Sequence, residues 1–151
     1  MTPTEPARDL AHQLSRAERL LSGWTSAFLE KERCTLEEWR VLNILSDGHG
    51  HIMTDIAEFA MLPAPTLTKL MDRMVSAALV YRRADDRDRR RVLAYLTESG
   101  RARYEQAAAR LAAAEAVLAV QLGGTADLTR WLTRLALVLG TPLAAESPAV
   151  A

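Results

Sequence analysis

The chain has 151 residues and a formal net charge of zero at pH 7, and this length fits a single compact domain. Hydrophobic residues make up 49% and charged residues 25% of the sequence, which excludes an intrinsically disordered chain. No apolar run reaches the roughly 18 residues of a membrane span, and the first residues lack a signal-peptide core, so we expect a cytoplasmic protein that is not bound to a membrane. The single cysteine, Cys34, excludes an internal disulfide framework and fits a reducing compartment.

The first third of the chain carries helical periodicity. Apolar residues recur every three or four positions over residues 7–32 and again over Leu36 to Leu45, which predicts one long and one short amphipathic helix. Thr35 is suited to cap the second helix because the acidic Glu37 and Glu38 follow it in the first turn.

A short helix, a break and a longer helix follow. We expect Thr54 to start the short helix over Asp55 to Ala60, and Pro65 suits the first turn of a helix over residues 65–78. The residues predicted to form the buried stripe of the longer helix are Leu67, Leu70, Met71, Met74 and Ala78. The polar residues Thr66, Lys69 and Arg73 share its opposite face, with Thr68 beside them. This arrangement is typical of a helix-turn-helix.

Two strand-like segments, 79–83 and 91–96, flank a highly charged stretch and predict a β-hairpin. In the second segment Val92, Ala94 and Leu96 fall on one side. Residues 64–91 carry a net charge of +4, with the basic residues Lys69, Arg73, Arg82, Arg83, Arg87, Arg89, Arg90 and Arg91 against the acidic residues Asp72, Asp85, Asp86 and Asp88. This local excess indicates a surface that binds an anion.

Two further helices complete the chain. Thr97 is suited to cap a long alanine-rich helix that runs to about Leu122, and a last helix is predicted over residues 128–139. The terminal helices cannot bury their apolar stripes within so small a central unit. We therefore expect a second copy of the chain to cover them in a homodimer.

Two segments resemble the MarR family (multiple antibiotic resistance regulators). Residues 34–42 (CTLEEWRVL) resemble the start of that family's second helix. Residues 85–100 (DDRDRRRVLAYLTESG) resemble its wing motif, an Asp-Arg-Arg tip followed by Leu-Thr-x-x-Gly. The resemblance covers about residues 10–140. It implies a mainly α fold with a minor β-hairpin. A winged helix-turn-helix region at 35–97 would be flanked by dimerisation helices at 7–32 and 98–140, with a flexible tail at 141–151.

The resemblance also implies a dimeric, ligand-responsive transcription regulator, expected to be a repressor, that reads a pseudo-palindromic operator in double-stranded DNA. Recognition helix 65–78 would enter the major groove and wing 84–91 the minor groove. Carried over by position, the residues of the helix that meet DNA are Pro65, Thr66, Thr68, Lys69 and Arg73. Arg90 falls where the family inserts a wing arginine, with Asp88 as its orienting carboxylate. Arg87 and Arg89 enrich the same tip, so the identity of the inserted arginine stays open.

Four residues are candidates for binding an effector, because the family places that site between the dimerisation helices and the DNA-binding unit: Trp24, Phe28, Trp39 and Arg40. The effector expected from the resemblance is a small aromatic carboxylate or a phenol. The three aromatic side chains are equally interpretable as core or interface residues, and Arg40 as the partner of a nearby acid.

The sequence also allows other functions. Cys34 has Arg33 beside it, which allows a thiol-based redox-sensing regulator, but a position ahead of a packed helix also suits a small buried hydrophobe. His49 and His51 are too few for a closed zinc site, which takes four ligands, so neither a metal nor another cofactor is predicted. The phosphate-loop, HExxH and GxSxG motifs do not occur, so we expect no enzyme. The remaining alternative is a helical dimeric protein-interaction module that does not bind DNA.

Overall fold

The computed structural model describes residues 9–140, which form a mainly helical structure with one antiparallel hairpin. This confirms the fold class expected from the sequence. The elements are α1 (Leu10–Leu29) with a 3-10 turn (Glu30–Glu32), α2 (Leu36–Leu45), α3 (Met53–Ala60), α4 (Ala64–Ser76), β1 (Val80–Ala84), β2 (Val92–Leu96), α5 (Glu98–Gln121) and α6 (Ala126–Gly140). The segment 141–151, predicted to be a flexible tail, lies outside the described residues. The chain divides into two compact units, one reaching to Ala112 and one beginning at Ala113.

The start of α2 is capped by Thr35, as the sequence predicted, and the cap is reciprocal with Glu38. The Thr35 hydroxyl accepts a hydrogen bond from the Glu38 backbone N–H at 3.1 Å, and the Glu38 carboxylate accepts one from the Thr35 N–H at 3.0 Å. Two of the otherwise unpaired N–H groups of the helix end are thereby satisfied. The predicted start of α3 at Thr54 was wrong. The N-cap of this helix is Ile52, which makes no side-chain hydrogen bond, and Thr54 lies inside the first turn.

The end of α4 also differs from the prediction. The helix stops at Ser76 because Ala78 adopts a positive φ of 56° and the Leu79 N–H turns back to the Met74 carbonyl at 2.9 Å. This is the hydrogen-bond pattern of a Schellman cap, in which the left-handed residue is usually glycine. Ala78 is therefore exposed and does not belong to the buried stripe, whereas the other four predicted residues are buried: Leu67, Leu70, Met71 and Met74.

The hairpin pairs β1 with β2 in the register Val80↔Leu96, Arg82↔Ala94 and Ala84↔Val92. A third segment joins its base, because His51 and Ala94 exchange two backbone hydrogen bonds of 3.3 and 2.9 Å. Ala94 is buried and Leu96 half-buried, but Val92 remains 50% exposed because it lies at the distal end of the ladder. The predicted apolar side of β2 is therefore buried only near its base.

The core of the first unit lies between α2, α3, α4 and the hairpin. Its largest fully buried side chains are Leu29, Val41, Leu42, Leu45, Ile56, Leu67, Met71, Met74 and Val80. Helix α5 adds Ala107 to this cluster, and its Tyr104 ring stacks on Trp39 with ring centroids 5.3 Å apart. Together these contacts anchor the helix-turn-helix elements to a single core.

Apolar side chains of the second unit are left exposed. Gly123 and Gly124 have positive φ angles of 71° and 110° between α5 and α6, and α6 has no buried residue. The exposed large apolar residues from 113 to 140 are Val117, Val120, Leu122, Leu128, Trp131, Leu132, Leu137, Val138 and Leu139. In the first unit, α1 likewise exposes Leu10, Leu20 and Leu21.

Among the described helices, no single one is long and apolar enough to span a membrane. Helices α5 and α6 meet that criterion only when taken together across a bend of 101°.

The hairpin leaves α4 and returns to α5 at one tight junction. The Thr97 hydroxyl donates to the Ala78 carbonyl at 2.6 Å, and the Gly100 N–H donates to the Thr97 hydroxyl at 2.9 Å. The Thr97 N–H donates to the Leu79 carbonyl at 3.1 Å. A Cβ atom on Gly100 would collide with that same carbonyl oxygen. Glycine is therefore required here by close approach of two backbone segments.

Replacing Gly100 by alanine should destabilise the protein by about 1–3 kcal/mol, because the clash is with backbone that other hydrogen bonds hold in place. Gly23→Ala is the matched control: nothing lies within 4 Å of a Cβ at this helical position, so we expect a gain of about 0.5–1 kcal/mol. Urea unfolding followed by circular dichroism measures both. Equal shifts for the two variants would contradict the proposed clash.

Candidate nucleic-acid interface

Helix α4 has one buried face and one face that is exposed to solvent. Its apolar residues pack into the core, and all five residues expected to meet DNA are exposed: Pro65, Thr66, Thr68, Lys69 and Arg73. The Thr68 hydroxyl donates to the Ala64 carbonyl at 2.9 Å and keeps its lone pairs for another donor. Within residues 9–140 the side chains of Lys69 and Arg73 make no hydrogen bond or ion pair. The exposed face of α4 therefore offers two cations that form no ion pair with a carboxylate of the described residues.

A surface groove of about 340 Å³ runs beside this face, between α4 and the start of α2. It is lined by Thr35, Glu37, Leu62, Pro65, Thr66, Lys69, Leu70 and Arg73. Because α2 leaves this side of α4 open, Thr66, Lys69 and Arg73 project from the helix without being covered by a neighbouring element.

The tip of the hairpin is shaped by two aspartates. The Asp85 carboxylate accepts from the Arg87 backbone N–H at 2.9 Å, and the Asp88 carboxylate accepts from the Arg90 backbone N–H at 3.1 Å. Such local side-chain-to-backbone bonds are the usual way in which aspartate stabilises a turn. Asp88 therefore orients the backbone of Arg90. The resemblance had implied that it orients the guanidinium group instead.

Because these two carboxylates bond to backbone, they leave arginines unpaired. In the part of the chain that the structure describes, the guanidinium groups of Arg87, Arg89, Arg90 and Arg91 have no ion-pair or hydrogen-bond partner. A planar, permanently charged guanidinium suits phosphate oxygens and the electronegative minor groove. The tip thus concentrates free positive charge at one end of the hairpin.

Two arginines on β1, Arg82 and Arg83, form ion pairs that the sequence did not predict. Arg82 pairs with Asp72 of α4 at 2.9 Å, and Arg83 pairs with Asp86 at 3.3 Å and lies 5.3 Å from the centroid of the Tyr95 ring. The signal available in the sequence was the strand alternation, which places Arg82 on the same side of β1 as the buried Val80 and therefore toward the helices. The identity of its partner could not be read from that pattern.

Each of the four candidate effector residues has a partner within the described chain. Trp24 and Phe28 pack against each other with centroids 4.7 Å apart, and Trp39 stacks on Tyr104. Arg40 donates to the Ala60 carbonyl at 3.3 Å and lies 3.8 Å from the Glu18 carboxylate. The structure therefore brings the two tryptophans into separate ring pairs and gives Arg40 a link between α1, α2 and the end of α3.

The thiol of Cys34 lies inside the core. Its side chain is 2% exposed, and the Sγ atom donates to the Thr35 carbonyl at 3.4 Å. Burial raises the pKa of this thiol to about 12, and the nearby Glu38 carboxylate adds to the increase. A thiol that is both covered and protonated at neutral pH is a poor nucleophile.

In the turn after α2, the backbone of His49 and the side chain of His51 both contact the carboxylate of Asp47. Asp47 accepts from the His49 backbone N–H at 2.8 Å, and its other oxygen lies 2.9 Å from the His51 Nε2 atom. Slight burial would raise the pKa of Asp47, but these contacts with His49 and His51 outweigh it and hold the pKa below its usual value. Residues 9–140 contain no cluster of three or more His, Cys, Asp or Glu side chains that could hold a metal ion.

Comparison with known proteins finds similarity to transcriptional regulators. A family profile described as MarR family matches residues 35–91. The chain is 32% identical over 78 residues to the HTH-type transcriptional regulator FarR of Neisseria gonorrhoeae, an alignment that covers 52% of this chain and 53% of that relative. It is 27% identical over 122 residues to the homoprotocatechuate degradative operon repressor of Escherichia coli, covering 81% of each protein.

Solved structures agree with these relatives. A MarR family transcriptional regulator from Silicibacter pomeroyi DSS-3 matches with a TM-score of 0.77 and 29% identity, covering 86% of this chain and 94% of that one. A MarR family protein of Mycobacterium tuberculosis in complex with salicylic acid matches with a TM-score of 0.66 and 29% identity, covering 89% and 98%. Regulators of this family are DNA-binding transcription factors and not enzymes. On the profile match over residues 35–91, the curated relatives and the shared fold, the chain is similar to the MarR family of transcriptional regulators.

Proposed function

We propose that this protein is a dimeric, ligand-responsive repressor that binds a pseudo-palindromic operator, with α4 in the major groove and the hairpin tip in the minor groove. The observation that carries this proposal is a set of cations that have no partner within residues 9–140: Lys69 and Arg73 on α4, and the arginines of residues 87–91 at the hairpin tip. The alternative, a protein-interaction module, has no need for free guanidinium groups at a hairpin tip.

The two elements suit the two grooves for different reasons. An α-helix fits the major groove, where Thr, Lys and Arg side chains reach base edges or phosphates. A single arginine side chain on a narrow hairpin fits the minor groove, whose negative potential is strongest where it is narrow. Since the whole chain is neutral, the attraction to DNA depends on this local excess of positive charge and should weaken as salt increases.

Arg90 is the arginine we place in the minor groove. Its backbone is already held by the Asp88 carboxylate in the free protein, so less conformational entropy is lost on binding than from an unrestrained loop. Arg87 is held in the same way by Asp85, which makes it the next candidate, followed by Arg89.

The exposed apolar faces of α1 and α6 support a homodimer. A row of large apolar residues that includes Leu128, Trp131 and Leu132 is exposed on α6, and patches of this kind usually mark an interface. A two-fold dimer would present two recognition helices to half-sites about 10 base pairs apart. The stoichiometry expected on an operator is therefore two chains per duplex.

A small aromatic carboxylate or phenol is the effector class we propose. One relative is a repressor of an operon for homoprotocatechuate degradation, and one matching structure holds salicylic acid. In this chain Trp24, Phe28 and Trp39 carry rings and Arg40 carries a cation, and a ligand carboxylate would replace that of Glu18 beside Arg40. An effector that binds the DNA-free conformation more tightly would shift the population away from the operator.

Operator binding is tested by fluorescence anisotropy on DNA from upstream of the protein's own gene. We expect the wild type to prefer it to random DNA by at least about a hundredfold, with two chains per duplex at saturation. Arg90→Ala should lose about tenfold or more in affinity and lower the salt dependence. Arg19→Ala on α1 removes the same charge and should bind like the wild type.

Two results would change this assignment. An Arg90→Ala protein that binds normally would move the minor-groove contact to Arg87 or Arg89. Weak wild-type binding without sequence preference, repeated after selection from a random DNA pool, would favour the protein-interaction module.

Salicylate added to the preformed operator complex should weaken DNA binding by about 5- to 150-fold, the range of typical coupling energies. Benzamide, which has the ring without the carboxylate, is the control ligand and should have little effect. Unchanged affinity at millimolar salicylate and at millimolar phenol would exclude this effector class.

The redox-sensing alternative predicts a reactive Cys34, whereas its burial and its raised pKa predict the opposite. At pH 8 iodoacetamide should alkylate the native protein at least about tenfold more slowly than the urea-unfolded chain, in which the thiol has its ordinary pKa. The native rate should continue to rise with pH well above 9, because the thiolate forms only near pH 12. Rapid native labelling, or loss of operator binding after mild peroxide treatment, would restore the redox hypothesis.

A further inference from the structure

We propose that Arg82 is a positioning residue for DNA binding: its ion pair with Asp72 ties the hairpin to the recognition helix and masks a carboxylate beside that helix's free cations. This inference rests on the proposed function. It assigns to Arg82 a role different from that of the tip arginines, although all of them belong to one basic segment.

The geometry of β1 directs Arg82 toward the helix. Val80 and Arg82 lie on the same side of the strand, and Val80 is buried in the core. From this side the Arg82 Nη2 atom reaches the Asp72 Oδ1 atom at 2.9 Å, a distance at which the ion pair is also a hydrogen bond. The pair joins two elements whose orientation to each other must suit two different DNA grooves.

The position of Asp72 makes its charge relevant to DNA. It lies three residues after Lys69, so these two side chains are neighbours on the exposed surface of α4, and it directly precedes the exposed Arg73. Its side chain is 60% exposed. Without Arg82, this carboxylate would repel phosphates next to the groups that attract them.

The exposure of the pair indicates that it contributes little to folding stability, as is usual for surface ion pairs. Its effect should appear in binding, because a hairpin that is free to move against α4 must be ordered when both elements engage DNA. The Arg83–Asp86 pair provides a comparison. It lies entirely within the hairpin and its tip at 3.3 Å, so it cannot fix the hairpin against the helix.

A double-mutant cycle on the operator tests the proposal. Arg82→Ala should weaken binding about tenfold, because the tie is lost and Asp72 is unmasked. Adding Asp72→Asn to Arg82→Ala should recover at least about threefold, whereas Asp72→Asn alone should not improve on the wild type. If Arg82 contacted DNA directly, Asp72→Asn would change affinity by the same factor in both backgrounds. Such additivity would overturn the proposal.

A second measurement needs no DNA. Amide hydrogen exchange of β1 and β2 should become faster in Arg82→Ala and in Asp72→Asn, with no further increase in the double variant. Exchange in α4 should also become faster in Arg82→Ala, whereas the matched control Arg83→Ala, whose pair does not reach α4, should leave it unchanged. If the wild type bound no operator, the proposed function would fail, and the exchange data alone would decide whether the tie exists. Unchanged hairpin exchange in both single variants would disprove it.

Discussion

The close approach of Gly100 to the Leu79 carbonyl is the constraint on which the arrangement of α4, the hairpin and α5 depends. At this point the end of α4, both ends of the hairpin and the start of α5 meet, and the Thr97 hydroxyl bonds to both sides of the junction. The Leu-Thr-x-x-Gly sequence thus has a physical meaning here. Thr97 closes the base of the hairpin and caps α5. Gly100 lets α5 approach the Leu79 carbonyl closely.

Helix positions and exposed faces could be predicted from the sequence because they follow from periodicity within one segment. The Thr35 cap, the buried stripe from Leu67 to Met74 and the exposed Lys69 and Arg73 are of this kind. The end of α4 could not be predicted, since Ala78 takes a left-handed conformation that sequence patterns associate with glycine. Its exposure follows from that backbone turn and not from helical spacing.

Pairing between charged side chains was the less predictable part of the site. In the sequence the basic residues of 64–91 form one cluster. In the structure Arg82 forms an ion pair with α4, Arg83 forms one within the hairpin, and Arg90 has no ion-pair partner among residues 9–140. Partners separated by a turn depend on the angle between elements, which the sequence does not encode locally. The same holds for Trp39, whose ring meets Tyr104 of α5.

At the hairpin tip, the residues that form the turn differ from the residues proposed to bind DNA. Asp85 and Asp88 form the turn through backbone atoms of their neighbours, so its conformation does not require any particular side chain at residues 87, 89, 90 or 91. Substitutions at these positions can therefore accumulate during evolution without a penalty in folding. If the tip contacts DNA as proposed, its contacts can change while the fold of the hairpin is preserved.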